Sequence, residues 1–261
     1  LEQSESILKS VISDNGFLTR RLRWHYRSRH ESFIAFSNKH FYDSDLVLFP
    51  SPMKKADDLG IRFTKVYGYF ESNRNVAEAQ AIVSKALEIL QNSPHESLGM
   101  VAMNSPQRDE IEMQFEQQLQ NHPHLQALVD EKAKTDSVFI KNLENVQGDE
   151  RDVILISMTY GPATVGGRVS QRFGPINHAD GWRRLNVLFT RAKKRMHIFS
   201  SMSSSDILAS DGSKRGVKAL KAFLEYCERG HLHQAIVTGK APDSDFEVAV
   251  INALEKHGYQ C

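Results

Sequence analysis

Cysteine is scarce in this chain, with two in 261 residues, Cys227 and Cys261. That is too few for a disulfide framework or for a zinc site alone, and it fits a reducing, cytoplasmic setting. Long apolar runs are also missing. No stretch approaches the roughly 18 consecutive apolar residues of a membrane-spanning helix. Charge of one sign is absent in bulk, since 33 Lys and Arg face 32 Asp and Glu. Net charge therefore argues neither for nor against a polyanionic partner. The pattern G-x-x-x-x-G-K-[ST] occurs nowhere in the sequence, which excludes a phosphate-cradling P-loop within these residues. Asp130-Glu131 lacks the preceding apolar strand that a metal-holding acid pair would need.

What is present is an ordinary globular composition, 40% hydrophobic and 25% charged, with an uneven distribution of bases. Arg20 to His30 (RRLRWHYRSRH) carries five arginines, two histidines and two aromatics with no acid. Arg183, Arg184, Arg191, Lys193, Lys194 and Arg195 form a second basic group. Bases interleaved with aromatics suit phosphates and stacked nucleobases, although a solvated helix face has the same composition.

Hydrophobic periodicity alternates between helix and strand. Ile7, Leu8, Val11 and Ile12 mark an apolar helical stripe, and Phe33, Ile34 and Phe36 another over Ser28 to His40. Leu46–Phe49 and Arg62–Val66 read as short strands. Asn75 caps a helix through Leu90, with Glu78 placed to complete a box-like cap. Leu98–Met103 is a strand followed by a helix from Pro106 to Leu119. Ser137–Ile140 and Val153–Met158 are buried strands, the latter apolar on both faces as a covered parallel strand would be. A helix over Trp182 to Lys194 leads into a strand, Arg195–Ser200, and Ser213 to Arg229 is a further helix. Strands alternating with helices predict an α/β fold with a doubly wound, mostly parallel sheet.

Three segments concentrate polar chemistry: Leu22-Arg23-Trp24-His25-Tyr26-Arg27-Ser28-Arg29, Asn145-Val146-Gln147-Gly148-Asp149-Glu150-Arg151-Asp152-Val153-Ile154, and Arg184-Leu185-Asn186-Val187-Leu188-Phe189-Thr190-Arg191-Ala192-Lys193. Taken alone, Asp149 and Arg151 could simply pair at the surface, and Arg191 could snorkel from a helix. In this order the segments resemble motifs IV, V and VI of superfamily 1 helicases of the Upf1-like group. The likeness is closer to bacterial proteins that join such a core to a nuclease-like domain, through HYRSRHESFIAFSNKHFY, FIKNLENVQGDERDVI, FGPINHADGWRRLNVLFTRAKK and GVKALKAFLEYCERG. It covers essentially residues 1–230.

The resemblance implies the second RecA-like motor domain of an ATP-dependent helicase or translocase, using ATP and Mg2+. Arg27 and Arg191 would reach the γ-phosphate, where a guanidinium fork neutralises developing charge, with Arg191 as the arginine finger. Glu150 would lie near the nucleotide ribose and the metal-bound phosphates, set there by the Gln147-Gly148 turn. Asn104 and Ser105, and more weakly Lys141 and Asn142, would contact single-stranded nucleic acid, DNA in the first instance. Ala102 departs from the usual threonine and weakens that assignment. The phosphate loop would belong to a first motor domain upstream, so this stretch alone would be inactive. A linker (231–242) and the first helix of a Vsr-like or PD-(D/E)XK nuclease domain (243–261) would follow, where Glu247 either assists a metal or is an ordinary surface acid. A non-catalytic nucleic-acid-binding module and an RNA-directed helicase remain the alternatives.

Overall fold

Five short strands assemble side by side into one parallel sheet in this computed structural model, which describes residues 11, 20, 22–24, 30–48, 59–229, 248, 251–253 and 256. The elements in chain order are α1 (Ser32–Phe41), β1 (Gly60–Lys65), α2 (Val76–Asn92), β2 (Leu98–Ala102), α3 (Ser105–Gln120), α4 (Pro123–Lys132), β3 (Phe139–Asn142), β4 (Arg151–Ser157), α5 (Gly181–Phe189), β5 (Ala192–Ser200) and α6 (Arg215–Arg229). The strand order is β1-β5-β4-β2-β3 and every pairing is parallel. The chain divides into two units, residues 1–230 and 231–261. The sheet and all eleven elements belong to the first unit. No helix among the described residues is long and apolar enough to cross a membrane.

The sheet is covered on both faces because its central strands, β2 and β4, are apolar on both faces. Along β4, Ile154 and Ile156 join one core with Met196, Ile198, Leu185, Phe189, Leu220 and Phe223. Val153 and Leu155 point the other way, into a core with Ile82, Leu90, Met100, Ile111 and Phe115. This is the period-two alternation of a strand sandwiched between helix layers. Helices α1, α5 and α6 cover the first face, and α2, α3 and α4 cover the second. The first core is knitted by aromatic rings: Phe189 stacks on Phe223 at 3.5 Å, and Phe36 meets both rings edge-on.

Several sequence expectations are corrected. The strand expected at Leu46–Phe49 reduces, among the described residues, to a single bridge between Val47 and Trp24, because this stretch lies outside the sheet and has no neighbouring strand to pair with. Helix α5 ends at Phe189 instead of Lys194, since Ala192 already pairs with Arg151 in the sheet. Helix α4 has no counterpart in the sequence reading; Pro123 starts it, and only Leu125 of its residues is fully buried. The stripe at Ile7, Leu8 and Ile12 lies outside the described residues, as do Arg27 and Glu247.

Candidate functional site at two edges of the sheet

A parallel sheet with short crossovers exposes two distinct edges, and the polar residues divide between them. Arg191 and Glu150 meet at the amino ends of the central strands. Glu150 immediately precedes β4, and Arg191 closes the turn between α5 and β5. The main chains are stitched there by a bond from the Arg151 amide to the Arg191 carbonyl (3.2 Å). Glu150 is joined to Lys193 at 3.2 Å, with both side chains about one-third exposed.

The end of α5 aims the arginine. Thr190 folds its hydroxyl back onto the carbonyls of Asn186 and Val187, satisfying the last turn of a helix that lacks a glycine cap. The Arg191 guanidinium then donates to the Val187 carbonyl at 2.8 Å, to the Asp149 carbonyl at 3.4 Å and to the Thr190 hydroxyl at 3.3 Å. Gln147 and Gly148 lead into this cluster. Gly148 has φ +94°, and a β-carbon there would stand in open space, so conformation and not crowding favours glycine. Asp149 turns to Lys141 at 2.6 Å and Arg151 to Asp136 at 3.2 Å, so the surface pair between Asp149 and Arg151 does not form. The second basic cluster is similarly occupied: Lys194 pairs with Glu96 and Asp152, Arg195 with Glu96, Arg183 with Asp180 and Arg184 with Glu144.

Guanidinium and ammonium groups beside a glycine turn are of the donor type that phosphates recognise, and here Arg191 bonds carbonyls while Lys193 pairs with Glu150. A divalent metal does not fit these residues by themselves. Among the described residues, no group of three or more His, Cys, Asp or Glu side chains converges.

The carboxyl ends of the strands carry the other candidates. Asn104 accepts from the Gln107 amide at 2.8 Å as the N-cap of α3 and donates to the Asn73 carbonyl at 2.9 Å. Ser105 begins that helix, and its hydroxyl accepts from Asn142 at 2.7 Å. Asn142 also accepts from the amides of Glu144 and Asn145, an Asx-turn arrangement. Asn104, Ser105 and Asn142 thus share one edge, while Lys141 turns away to Asp149.

The same edge hides a network that sequence reasoning missed. Glu78 is fully buried. Its carboxylate accepts from the Ser157 hydroxyl (2.6 Å), the Thr159 amide (2.7 Å) and the Ser201 amide (2.6 Å). It therefore ties the loops after β4 and β5 to the start of α2, and its box-like exchange with Asn75 runs through the Asn75 side-chain amide (3.4 Å) and not through the Asn75 main-chain amide. The Asn75 amide instead donates to Gln107, whose own amide reaches the Asn75 carbonyl and Ser157. Burial pushes the Glu78 carboxyl up to about 7, against the hydrogen bonds from Ser157, Thr159 and Ser201 that pull it down. Thr159 is held at φ +68°, an unfavourable conformation for a β-branched residue. Its hydroxyl accepts from the Met103 amide, one residue before Asn104. A signal existed in the sequence: Glu78 shares a helical face with Ile82, Ala86 and Ile89, where an acid can only be buried.

Relatives share this region. An ATP-dependent helicase of uncharacterised role from Mycoplasma genitalium, MG140, is 32% identical over 259 residues, 95% of this chain and 22% of its own length. Its homologue from Mycoplasma pneumoniae is 34% identical over 229 residues, 86% of this chain and 20% of its own. The DNA polymerase alpha-associated DNA helicase A of Saccharomyces cerevisiae is 27% identical over 150 residues, 57% of this chain and 18% of its own. The chain thus spans about a fifth of the length of these relatives. A family model described as an AAA domain matches residues 3–203, most of the sequence, and the chain belongs to that AAA domain family.

Proposed function

We propose that this chain is the second RecA-like motor domain of an ATP-dependent helicase or translocase of superfamily 1. In this reading Arg191 completes an ATP site whose phosphate loop lies on a first motor domain. The observation that carries the reading is the junction of Arg191 and Glu150, residues 41 apart in sequence and joined through the Arg151–Arg191 main-chain bond and the Glu150–Lys193 pair. Relatives named as ATP-dependent helicases support it.

Phosphoryl transfer builds charge on the γ-phosphate oxygens, and a guanidinium brought to them lowers the barrier. Arg191 is suited to this because it sits at the rim of a rigid sheet, on a turn fixed by Thr190. Hydrogen bonds to the Val187 and Asp149 carbonyls and the Thr190 hydroxyl hold its guanidinium at this rim, and a planar fork of donors is the group that a phosphate recognises. Glu150, paired with Lys193, would orient the nucleotide. Arg27 would supply a second guanidinium. ATP would hold the two motor domains together and hydrolysis would release them, a closure cycle that steps along a strand. Single-stranded DNA is the preferred track, in keeping with the name of the yeast relative, and Asn104, Ser105 and Asn142 would face it.

The test is ATP turnover of the full-length protein with and without single-stranded DNA or RNA. The reading expects turnover stimulated by a strand, more by DNA than by RNA. Strand binding without any turnover would favour a non-catalytic module, and stronger stimulation by RNA would favour an RNA-directed motor.

A further inference from the structure

The loop joining β1 to α2 presents two tyrosines to solvent, and further along it the Asn73 carbonyl is held by the Asn104 side chain. Tyr67 is 92% exposed and Tyr69 is 46% exposed, while Gly68 between them is buried. The alternation puts both rings outward and the intervening backbone inward. Gly68 is wedged so tightly that a β-carbon would lie 2.3 Å from the Asn75 side-chain oxygen.

This loop is firmly anchored. The Val66 amide continues the sheet by bonding the Ser200 carbonyl, and the Phe70 amide bonds the Pro162 carbonyl. Phe70 packs edge-on against Tyr160 at 5.4 Å. Glu71 and Arg74 close a turn through two mutual main-chain bonds, and the Asn104 side chain clasps the Asn73 carbonyl within it. Arg74 pairs with Glu110 at 3.0 Å and remains half exposed. Arg168, on the neighbouring loop reached through Pro162, is exposed.

We propose that Tyr67 and Tyr69 form a stacking platform for the unpaired bases of a single strand whose backbone passes Asn104 and Ser105. The inference deepens the motor reading and rests on it. Tyrosine has few rotatable bonds to immobilise, the backbone that carries these two is anchored on both sides, and any base offers a π face. Arg168 adds an exposed cation on the loop that the Pro162–Val169 bridge holds next to Phe70, while Arg74 is already paired with Glu110; a strand needs basic contacts as well as stacking. A double helix, with its bases already stacked on one another, would gain nothing from the platform.

The experiment compares the full-length protein with Tyr67→Ala/Tyr69→Ala and with Tyr67→Trp, using fluorescence anisotropy on a short single-stranded oligonucleotide and on an abasic strand of equal length. The double alanine variant should bind the intact strand roughly 10-fold or more weakly, and the abasic strand as the parent does. Tyr67→Trp should retain affinity, and its fluorescence should be quenched when the intact strand binds. Equal affinity of parent and double variant for the intact strand overturns the platform while leaving the motor reading in place. A parent that binds no single strand overturns both. Thermal melting of the double variant should match the parent, because the rings replaced are exposed.

Discussion

A carboxyl group without water around it must find its donors in the protein, and Glu78 finds them in two loops that the sequence keeps far apart. Both of its oxygens accept backbone amides, from Thr159 and from Ser201. Glu78→Gln would therefore set an amide N–H against one of those N–H groups. The cost expected for one unsatisfied buried donor is about 1–3 kcal/mol, readable from chemical denaturation. The pH dependence has a definite sign. The folded-state pKa is raised from the ordinary 4.5 to about 7. The protonated acid's contribution to stability is therefore complete below about 4.5 and is lost as pH rises through about 7. The stability advantage of the parent over Glu78→Gln should shrink by up to about 3 kcal/mol between pH 5 and 8. Comparing the two proteins cancels the titration of buried His197, whose pKa is lowered to about 3 chiefly by burial. An advantage that stays constant or grows across that range would rule out this account of Glu78. The sequence showed the acid and its helix, and it showed Asn75 as the cap that the structure contains. It could not show that Ser157, Thr159 and Ser201 converge on the acid, because that depends on which strands lie side by side.

Elements were legible where periodicity was strong and capping chemistry was local. Helix α2 starts at its asparagine cap, and β4 could be read from Val-Ile-Leu-Ile alone. Helix α4 is harder to read because its apolar stripe is a single turn, Leu125, Leu128 and Val129, and its N-cap His122 makes no side-chain capping hydrogen bond. The junction of α5 and β5 is obscured for a different reason. Thr190-Arg191-Ala192-Lys193 has good helix formers, and pairing with β4 overrides that preference. Arg191 therefore stands on a turn fixed by two sheet strands and not on a helix face. Gly148 belongs to the same scale. Gly148→Ala meets no steric contact, so its expected cost is the backbone strain alone, about 1–2 kcal/mol in denaturation. A stability loss beyond that range would mean that the turn before Glu150 is packed more tightly than its open surroundings indicate.

For the whole molecule, the parallel sheet keeps two groups of polar residues apart. Arg191, Glu150 and Lys193 stand at the amino ends of the strands, and Asn104, Ser105 and Asn142 at the carboxyl ends. That the two groups lie at opposite ends of the strands was legible in the sequence, since in a parallel sheet residues before a strand and residues after it must part; which strands lie side by side, β1-β5-β4-β2-β3, was not. Asn104→Asp tests the separation. Aspartate still accepts from the Gln107 amide as a cap, but it loses the bond to Asn73 and adds negative charge beside a phosphate backbone. Single-strand affinity should fall several-fold, and more steeply at low salt, while basal ATP turnover stays as in the parent. Equal losses of affinity and basal turnover would show that the two edges do not act separately.

The central claim is that Arg191 acts on ATP from a different domain than the one that cradles it. The most direct measurement is strand-stimulated ATP turnover of full-length Arg191→Ala, made alongside its single-strand affinity. Loss of the guanidinium should cut turnover by roughly 10³-fold or more and leave strand affinity near that of the parent, with Arg191→Lys restoring little because lysine lacks the fork. Turnover equal to the parent's in Arg191→Ala would contradict the claim.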